Sequence, residues 1–316
     1  MASNEIEVLD PAPTVEKLKK IVSGRALNRR HFMAALGMTG AAAGAAFLSG
    51  CTTTASSTTS TTTTTAGPTQ SDYLNFALNL EYLEATFYAF ITQGADLPAS
   101  ATVASGAITN SPAKLTFTGT NAAQITDMLN EIYYDEVNHV LDLRSLLGSY
   151  AIARPAINLG AAGAITAINA LSIARQFEDV GVTAYAGAAA SFTSTGLSYA
   201  AQILAVEGFH AAALRLVSIQ NPTIAAFAKA DAFDVAPFDP GTPAAAALGP
   251  SASGGFFATA GPATSSTANP AGFAFTRTTS QILAILYAST PGTPASSGTR
   301  QGGFFPNGVL GLINTV

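Results

Sequence analysis

Histidine, cysteine and charge are all scarce in this chain. Its 316 residues include three histidines and one cysteine, and 10% are charged. A single cysteine, Cys51, excludes any disulfide within the chain. The apolar run at residues 33–48 is rich in Ala and Gly and falls short of the roughly 20 residues that a membrane-spanning helix needs. A basic surplus is also missing. Beyond residue 50, Lys and Arg number 8 and Asp and Glu 15, a net charge of 8 − 15 = −7. That balance argues against a nucleic-acid partner, which usually needs a basic face. Ala, Leu and Ile are plentiful, so a sizeable core can form. The length suits one large domain with extensions better than two equal domains.

The first fifty residues read as an export segment. Residues 1–30 are polar and turn basic toward their end. Asn28-Arg29-Arg30-His31-Phe32-Met33 resembles a twin-arginine signal. Residues 33–48 then read as the apolar part of a cleaved signal. Leu48-Ser49-Gly50-Cys51 resembles a bacterial lipobox, in which the cysteine carries the lipid; an incidental cysteine is the alternative. The expectation is a lipoprotein exported by the twin-arginine route to the periplasm or cell surface and anchored to the membrane through Cys51. Residues 51–70 are almost all Thr, Ser, Ala and Gly and read as a flexible tether.

Four long helices are predicted after the tether. The first covers residues 72–93, capped by Ser71 and stopped by Gly94. The second covers 121–147, with Gly148 after it. The third covers 161–190. The fourth covers 195–220 and stops before Asn221-Pro222. Between the first two, the alternation at 114–118 suggests a short strand. The linker at 148–160, fully extended, reaches roughly 40 Å. It can make a long crossover or a simple turn. The predicted fold is all-α: a four-helix bundle over 71–222 and a C-terminal extension over 223–316. One more short helix is expected at 279–288, and the extension is too apolar to be a solvated tail.

The two histidines beyond the export segment each follow a glutamate by three residues, as Glu136/His139 and Glu207/His210. Such pairs share one helix face. Six glutamates occur beyond residue 50, so the chance that both histidines have one at this spacing is about (6/266)², on the order of 1 in 2000. The other two helices carry Glu81 with Tyr88 and Glu178 with Tyr185, each seven residues apart. The order is therefore Glu-x6-Tyr, Glu-x2-His, and the same again. In antiparallel pairs these residues fall within about a turn of one height. Carboxylates and neutral imidazoles are the ligands that suit redox metals. Buried carboxylates also need the positive charge that divalent ions bring. The tyrosines are weaker signals, since core packing explains Tyr88 and Tyr185 as readily. Glu84 reads as a ligand, a supporting carboxylate or half of a surface pair. Glu131 and Asn138 point away from the site. Asp135 suits a solvated flank better than support for a histidine, and Arg175 either pairs with a nearby carboxylate or covers the helix.

These motifs resemble the ferritin-like superfamily, in which bacterioferritin, rubrerythrin and manganese catalase use similar helices. Leu80-Glu81-Tyr82-Leu83-Glu84-Ala85-Thr86-Phe87-Tyr88, Asp135-Glu136-Val137-Asn138-His139, Glu178 with Tyr185, and Glu207 with His210 carry the similarity. The exported bacterial ferritin-like proteins related to desiccation-related proteins are the most similar group. Their ends often look like Gly302-Gly303-Phe304-Phe305-Pro306-Asn307-Gly308. The resemblance implies a ferritin-like bundle with two iron or manganese ions on Glu81, Glu136, His139, Glu178, Glu207 and His210. Tyr88 or Tyr185 would donate a hydrogen bond or an electron. The implied activity is that of a di-metal oxidoreductase, of ferroxidase or peroxide-removing type, acting on O2, peroxide or Fe(II). A homo-oligomer fits the resemblance. The anchor and the tail do not suit a closed storage cage, and no Cys-x2-Cys pair offers a rubredoxin-type domain. The second expectation is a non-enzymatic envelope protein for stress or desiccation, with the metals bracing the bundle.

Overall fold

A reciprocal cap starts the first helix. The Thr69 hydroxyl accepts from the Asp72 amide at 3.4 Å, while the Asp72 carboxylate accepts from the Thr69 amide at 2.7 Å. Helix α1 spans Gln70–Gln93 and ends at Gly94, whose φ of 72° favours glycine. The cap lies at Thr69, two residues before the predicted Ser71, because the Thr69/Asp72 pair satisfies two amides together. The computed structural model describes residues 67–102, 105–220, 276–290 and 293–316, with the backbone alone at 218–220. The expectations for the export segment, Cys51 and the tether up to residue 66, and for residues 221–275, lie outside the described residues.

Three more long helices follow: α2 at Ala122–Leu147, α3 at Ala170–Ala188 and α4 at Ser194–Gln220. Helix α1 packs on α2, α3 on α4, and α1 on α3. Eighteen of the 24 residues of α1 are buried, so it is apolar on nearly every side and takes the central place. Helix α2 instead shows one buried stripe through Leu129, Ile132, Glu136, His139, Val140 and Leu143, the pattern of a helix with one face in water.

The α2–α3 connection is a long crossover. Its start lies beside the beginning of α1, where Asn75 donates to the Tyr150 carbonyl at 2.9 Å and accepts from the Ile152 amide at 3.0 Å. Its middle lies beyond the end of α1, where Arg154 donates to Asp96 at 2.9 Å. There, strand β2 (Ile157–Asn158) pairs in parallel with strand β1 (Ile108–Thr109) of the α1–α2 connection. The chain thus climbs the full length of α1 before α3 descends. The Thr193 amide donates to the Gln70 side chain at 2.6 Å, which returns the α3–α4 turn to the start of α1.

This crossover explains two differences from the sequence reading. Helix α3 begins nine residues later than expected, because residues 159–169 complete the crossover. They form a short 3-10 turn at Leu159–Ala162 and pass Gly163 at φ 96°. The Asn169 side chain then accepts from the Thr166 amide and donates to the Ala164 carbonyl. The alternating segment 114–118 forms no strand. The Leu115 amide instead donates to the Ile91 carbonyl at 2.9 Å and lays the segment on α1.

The described part of the C-terminal extension lies against the bundle. Helix α5, Thr279–Leu286, begins with a Thr278/Gln281 capping box and is buried from Ile282 to Leu286. Phe304 and Phe305 are buried, and Phe304 meets Phe177 of α3 edge-on at 5.1 Å between ring centres. Asn79 of α1 donates to the Leu310 carbonyl at 2.9 Å and accepts from the Leu310 amide at 3.0 Å, pinning the last segment.

Candidate metal centre

The four glutamates and two histidines of the repeat meet in the middle of the bundle. Glu81, Glu136, Glu178 and Glu207 are fully buried, and His139 and His210 nearly so. Two groups of potential donor atoms form, each with all its atoms within 4.8 Å of one another. One comprises Glu81, Glu136, His139 and Glu207; the other comprises Glu136, Glu178 and His210. Glu136 belongs to both, with one oxygen directed to each histidine. The His139 Nδ1 lies 3.2 Å from Glu81 Oε2 and 3.3 Å from Glu136 Oε2. The His210 Nδ1 lies 3.0 Å from Glu178 Oε2 and 3.2 Å from Glu136 Oε1. The rings sit 6.4 Å apart, centre to centre.

The placement follows from the spacing within each helix. Glu136 and His139 lie about a turn apart on the buried stripe of α2, as do Glu207 and His210 on α4. Helices α1 and α3 supply Glu81 and Glu178 from the opposite side, and their tyrosines cross over. Tyr88 of α1 donates to Glu178 Oε1, and Tyr185 of α3 donates to Glu81 Oε1. Each hydroxyl thus holds the outer oxygen of a carboxylate whose other oxygen faces a histidine. Asp135 performs a task that the sequence favoured less. Its Oδ2 lies 3.1 Å from Nε2 of His210, on the opposite helix, although the carboxylate remains 41% exposed. It supports the histidine of the other repeat rather than His139, one turn away. With Nδ1 turned inward, Nε2 is placed to donate to Asp135, a contact that would fix the tautomer of the neutral ring a metal requires.

Electrostatics show what the site lacks. Burial pushes Glu81 up to about 7, against the pull of His139. Glu84 and Glu207 are raised well above the carboxylate range by burial and by the surrounding carboxylates. Burial also raises Glu178, and His210 opposes it. Glu136 goes the other way: burial is outweighed by the two histidines, and its carboxyl is held low. Burial would lower both histidines, but Glu136 and Glu81 push His139 up to about 12, and Glu178 and Glu136 push His210 up to about 12. His139 approaches Glu81, Glu136 and Glu207, and His210 approaches Glu136 and Glu178, so two imidazoliums face the four buried glutamates of the repeat.

The donor set fits metal ions by an independent sign. Glu84 Oε2, Glu136 Oε1 and both oxygens of Glu207 are buried and accept no hydrogen bond. Glu136 Oε1 is close to the His210 Nδ1 yet poorly aligned with it. These atoms converge on shared space rather than on one another. Orphaned carboxylate oxygens are costly in an apolar bundle unless cations meet them. Hard oxygen donors with imidazole nitrogens suit iron or manganese.

The neighbouring charges were only half legible. Arg175 is buried and donates to Asp179, one turn on, at 2.7 Å. Arg215 of α4 donates to the other oxygen of Asp179. The triad ties α3 to α4 beside the centre. The i, i+4 spacing of Arg175 and Asp179 was the available signal; Arg215 gave none. Glu131 and Asn138 face solvent as expected. A cavity of about 240 Å³ opens between α2 and α4 and ends at His210 and Asp135, with Ile132, Val206 and Phe209 among its walls.

Comparison with known families agrees with this geometry. The model of the ferritin-like domain family matches residues 69–220, which span all four helices of the bundle and every residue of the two donor groups. None of the curated proteins matches the chain.

Proposed function

Because residues 69–220 belong to the ferritin-like superfamily, we propose that this chain is an exported, lipid-anchored protein whose bundle binds two iron or manganese ions for redox chemistry. The observation that carries the proposal is the pair of donor groups joined by Glu136. Such ions, when bound, exchange electrons with O2, peroxide or Fe(II). The protein's part is to hold the donors ready. Glu136 reaches both histidines, Glu81 and His139 close one end, and Glu178 and His210 close the other. Glu207 stands by His139, its Oε1 3.6 Å from Nδ1. Tyr88 and Tyr185 fix the outer oxygens of Glu178 and Glu81 and leave the inner ones free. Both tyrosines are held protonated, since burial and the adjacent glutamates raise them well above their ordinary value. Each can therefore give a hydrogen bond to its carboxylate at any neutral pH.

The cavity beside His210 favours redox chemistry over bracing alone, because a purely structural centre needs no opening. A small molecule the size of peroxide, or an Fe(II) ion, fits the space. The twin-arginine-like segment supports export in the folded state, which suits a metal loaded before transport. The lipobox-like Cys51 supports the anchor. Elemental analysis of the purified protein tests the first step: about two Fe or Mn per chain are expected, and none in a His139→Ala/His210→Ala double variant. Peroxide or Fe(II) turnover by the loaded protein tests the second and should vanish in Glu136→Ala. Metal that raises the melting temperature without any turnover would favour the envelope stress or desiccation role instead.

A further inference from the structure

The centre is built from a repeated helix pair, and the repeat breaks at one buried position. Positions 97 residues after Glu81 and Tyr88 are Glu178 and Tyr185, and those 71 residues after Glu136 and His139 are Glu207 and His210. The position 97 residues after Glu84 is Gly181. A carboxylate on α1 thus has no side chain as its counterpart on α3.

The two positions meet in space. A Cβ at Gly181 would lie 2.3 Å from Glu207 Oε2, 2.9 Å from Glu207 Cδ and 3.3 Å from Glu84 Oε1. Any side chain there would have to move the Glu207 carboxylate. The volume that the repeat would have given to a residue on α3 is taken by Glu84 and Glu207. Glu84 is 3% exposed, so it is not half of a surface pair. Its Oε2 and both oxygens of Glu207 accept no hydrogen bond. By contrast, Glu81 and Glu178 each have one oxygen held by a tyrosine. Glu84 and Glu207 are therefore adjacent, and Glu207 belongs to the donor group that holds His139.

We propose that Glu84 is a seventh ligand, which joins Glu207 on a divalent cation at the His139 position and makes the two metal positions unequal. The inference rests on the dinuclear reading above. The His139 position then gathers Glu81, Glu84, Glu136 and Glu207, while the His210 position has Glu136 and Glu178. More carboxylates around one ion mean stronger Coulomb attraction in a site shut off from water. The His139 position fills first and holds its ion more tightly.

Calorimetric titration of the metal-free full-length protein with Mn(II) tests this. The wild type should take up two ions in two resolved steps. Glu84→Gln keeps the shape and removes the charge, and it should weaken the tighter step by about tenfold or more while the weaker step stays within about threefold. Its metal-free form should melt no lower than the wild type, because the amide keeps the shape and brings no charge into the buried cluster. Gly181→Ala, which displaces Glu207 without changing charge, should weaken the same step. Two wild-type steps that Glu84→Gln leaves unaltered would overturn the role of Glu84 and spare the dinuclear centre. Loss confined to the weaker step, in either variant, would overturn the assignment to the His139 position. No Mn(II) uptake by the wild type would overturn the dinuclear reading and this inference together.

Discussion

Loading the metal-free protein should expel protons, and the structure says how many. At pH 7 both histidines, pushed up to about 12 by Glu136, Glu81 and Glu178, carry a proton on a ring that must be neutral to ligate. Two protons therefore leave for two ligand imidazoles. Glu81, pushed up to about 7, is close to half-protonated at that pH and adds about half a proton more. Glu207 and Glu84, both raised well above the carboxylate range, add up to about one each. Release of between about two and four and a half protons per chain is expected. Each proton makes the overall binding constant rise about tenfold per pH unit, or about 1.4 kcal/mol. The product of the two constants should therefore grow at least about 100-fold between pH 6 and pH 7. Titration calorimetry with Mn(II), run at one pH in two buffers of different ionisation heat, gives the proton count directly from the difference in observed enthalpy. Uptake that releases no protons and ignores pH would refute the reasoning. It would mean that imidazolium–carboxylate pairs do not hold the metal-free centre together.

The same shifts set the pH dependence of the metal-free fold. His139, His210 and Glu81 are all raised, so their contribution is complete below their ordinary values and is lost as pH climbs toward the folded ones. Glu136 is lowered, so its contribution is complete above the ordinary carboxylate value and is lost as pH falls below it. Melting followed by circular dichroism should show the metal-free protein losing stability from pH 5 to pH 9, and saturating Mn(II) should abolish that fall. Asp179→Ala leaves Arg175 and Arg215 without this buried counter-ion and should cost about 3–5 kcal/mol in chemical denaturation; a loss below 1 kcal/mol would deny the triad a structural role. Asn79→Ala removes both hydrogen bonds to Leu310 and should cost about 1–3 kcal/mol, with faster proteolysis near the C-terminus. Phe304→Ala should cost about 3–5 kcal/mol, since the ring is buried against Phe177.

The legibility of this protein in its sequence follows from the range of its interactions. The helices were readable to within a residue or two wherever a local signal set the end, as at Gly94 and Gly148. They were misread where a distant contact set it. The start of α3 depends on residues 159–169 completing a crossover along α1, and no pattern within those residues reports that. The grouping of the candidate donors was readable because a helix makes i, i+3 a fixed geometry, so Glu136/His139 and Glu207/His210 carried their own alignment. The supporting groups were not, because Tyr88 reaches Glu178, Tyr185 reaches Glu81, Asp135 reaches His210 and Arg215 reaches Asp179, each across a gap of many residues.

By itself, then, the sequence determined the helical class, the repeated Glu and His spacing and the apolar character of the tail, since periodicity and local caps are properties of neighbours along the chain. Only the tertiary structure decided which carboxylate serves which histidine, that Glu136 is shared, and that Glu84 and Glu207 meet above Gly181. Those outcomes depend on how four helices are rotated and set at a common height, and packing of one against another fixes both.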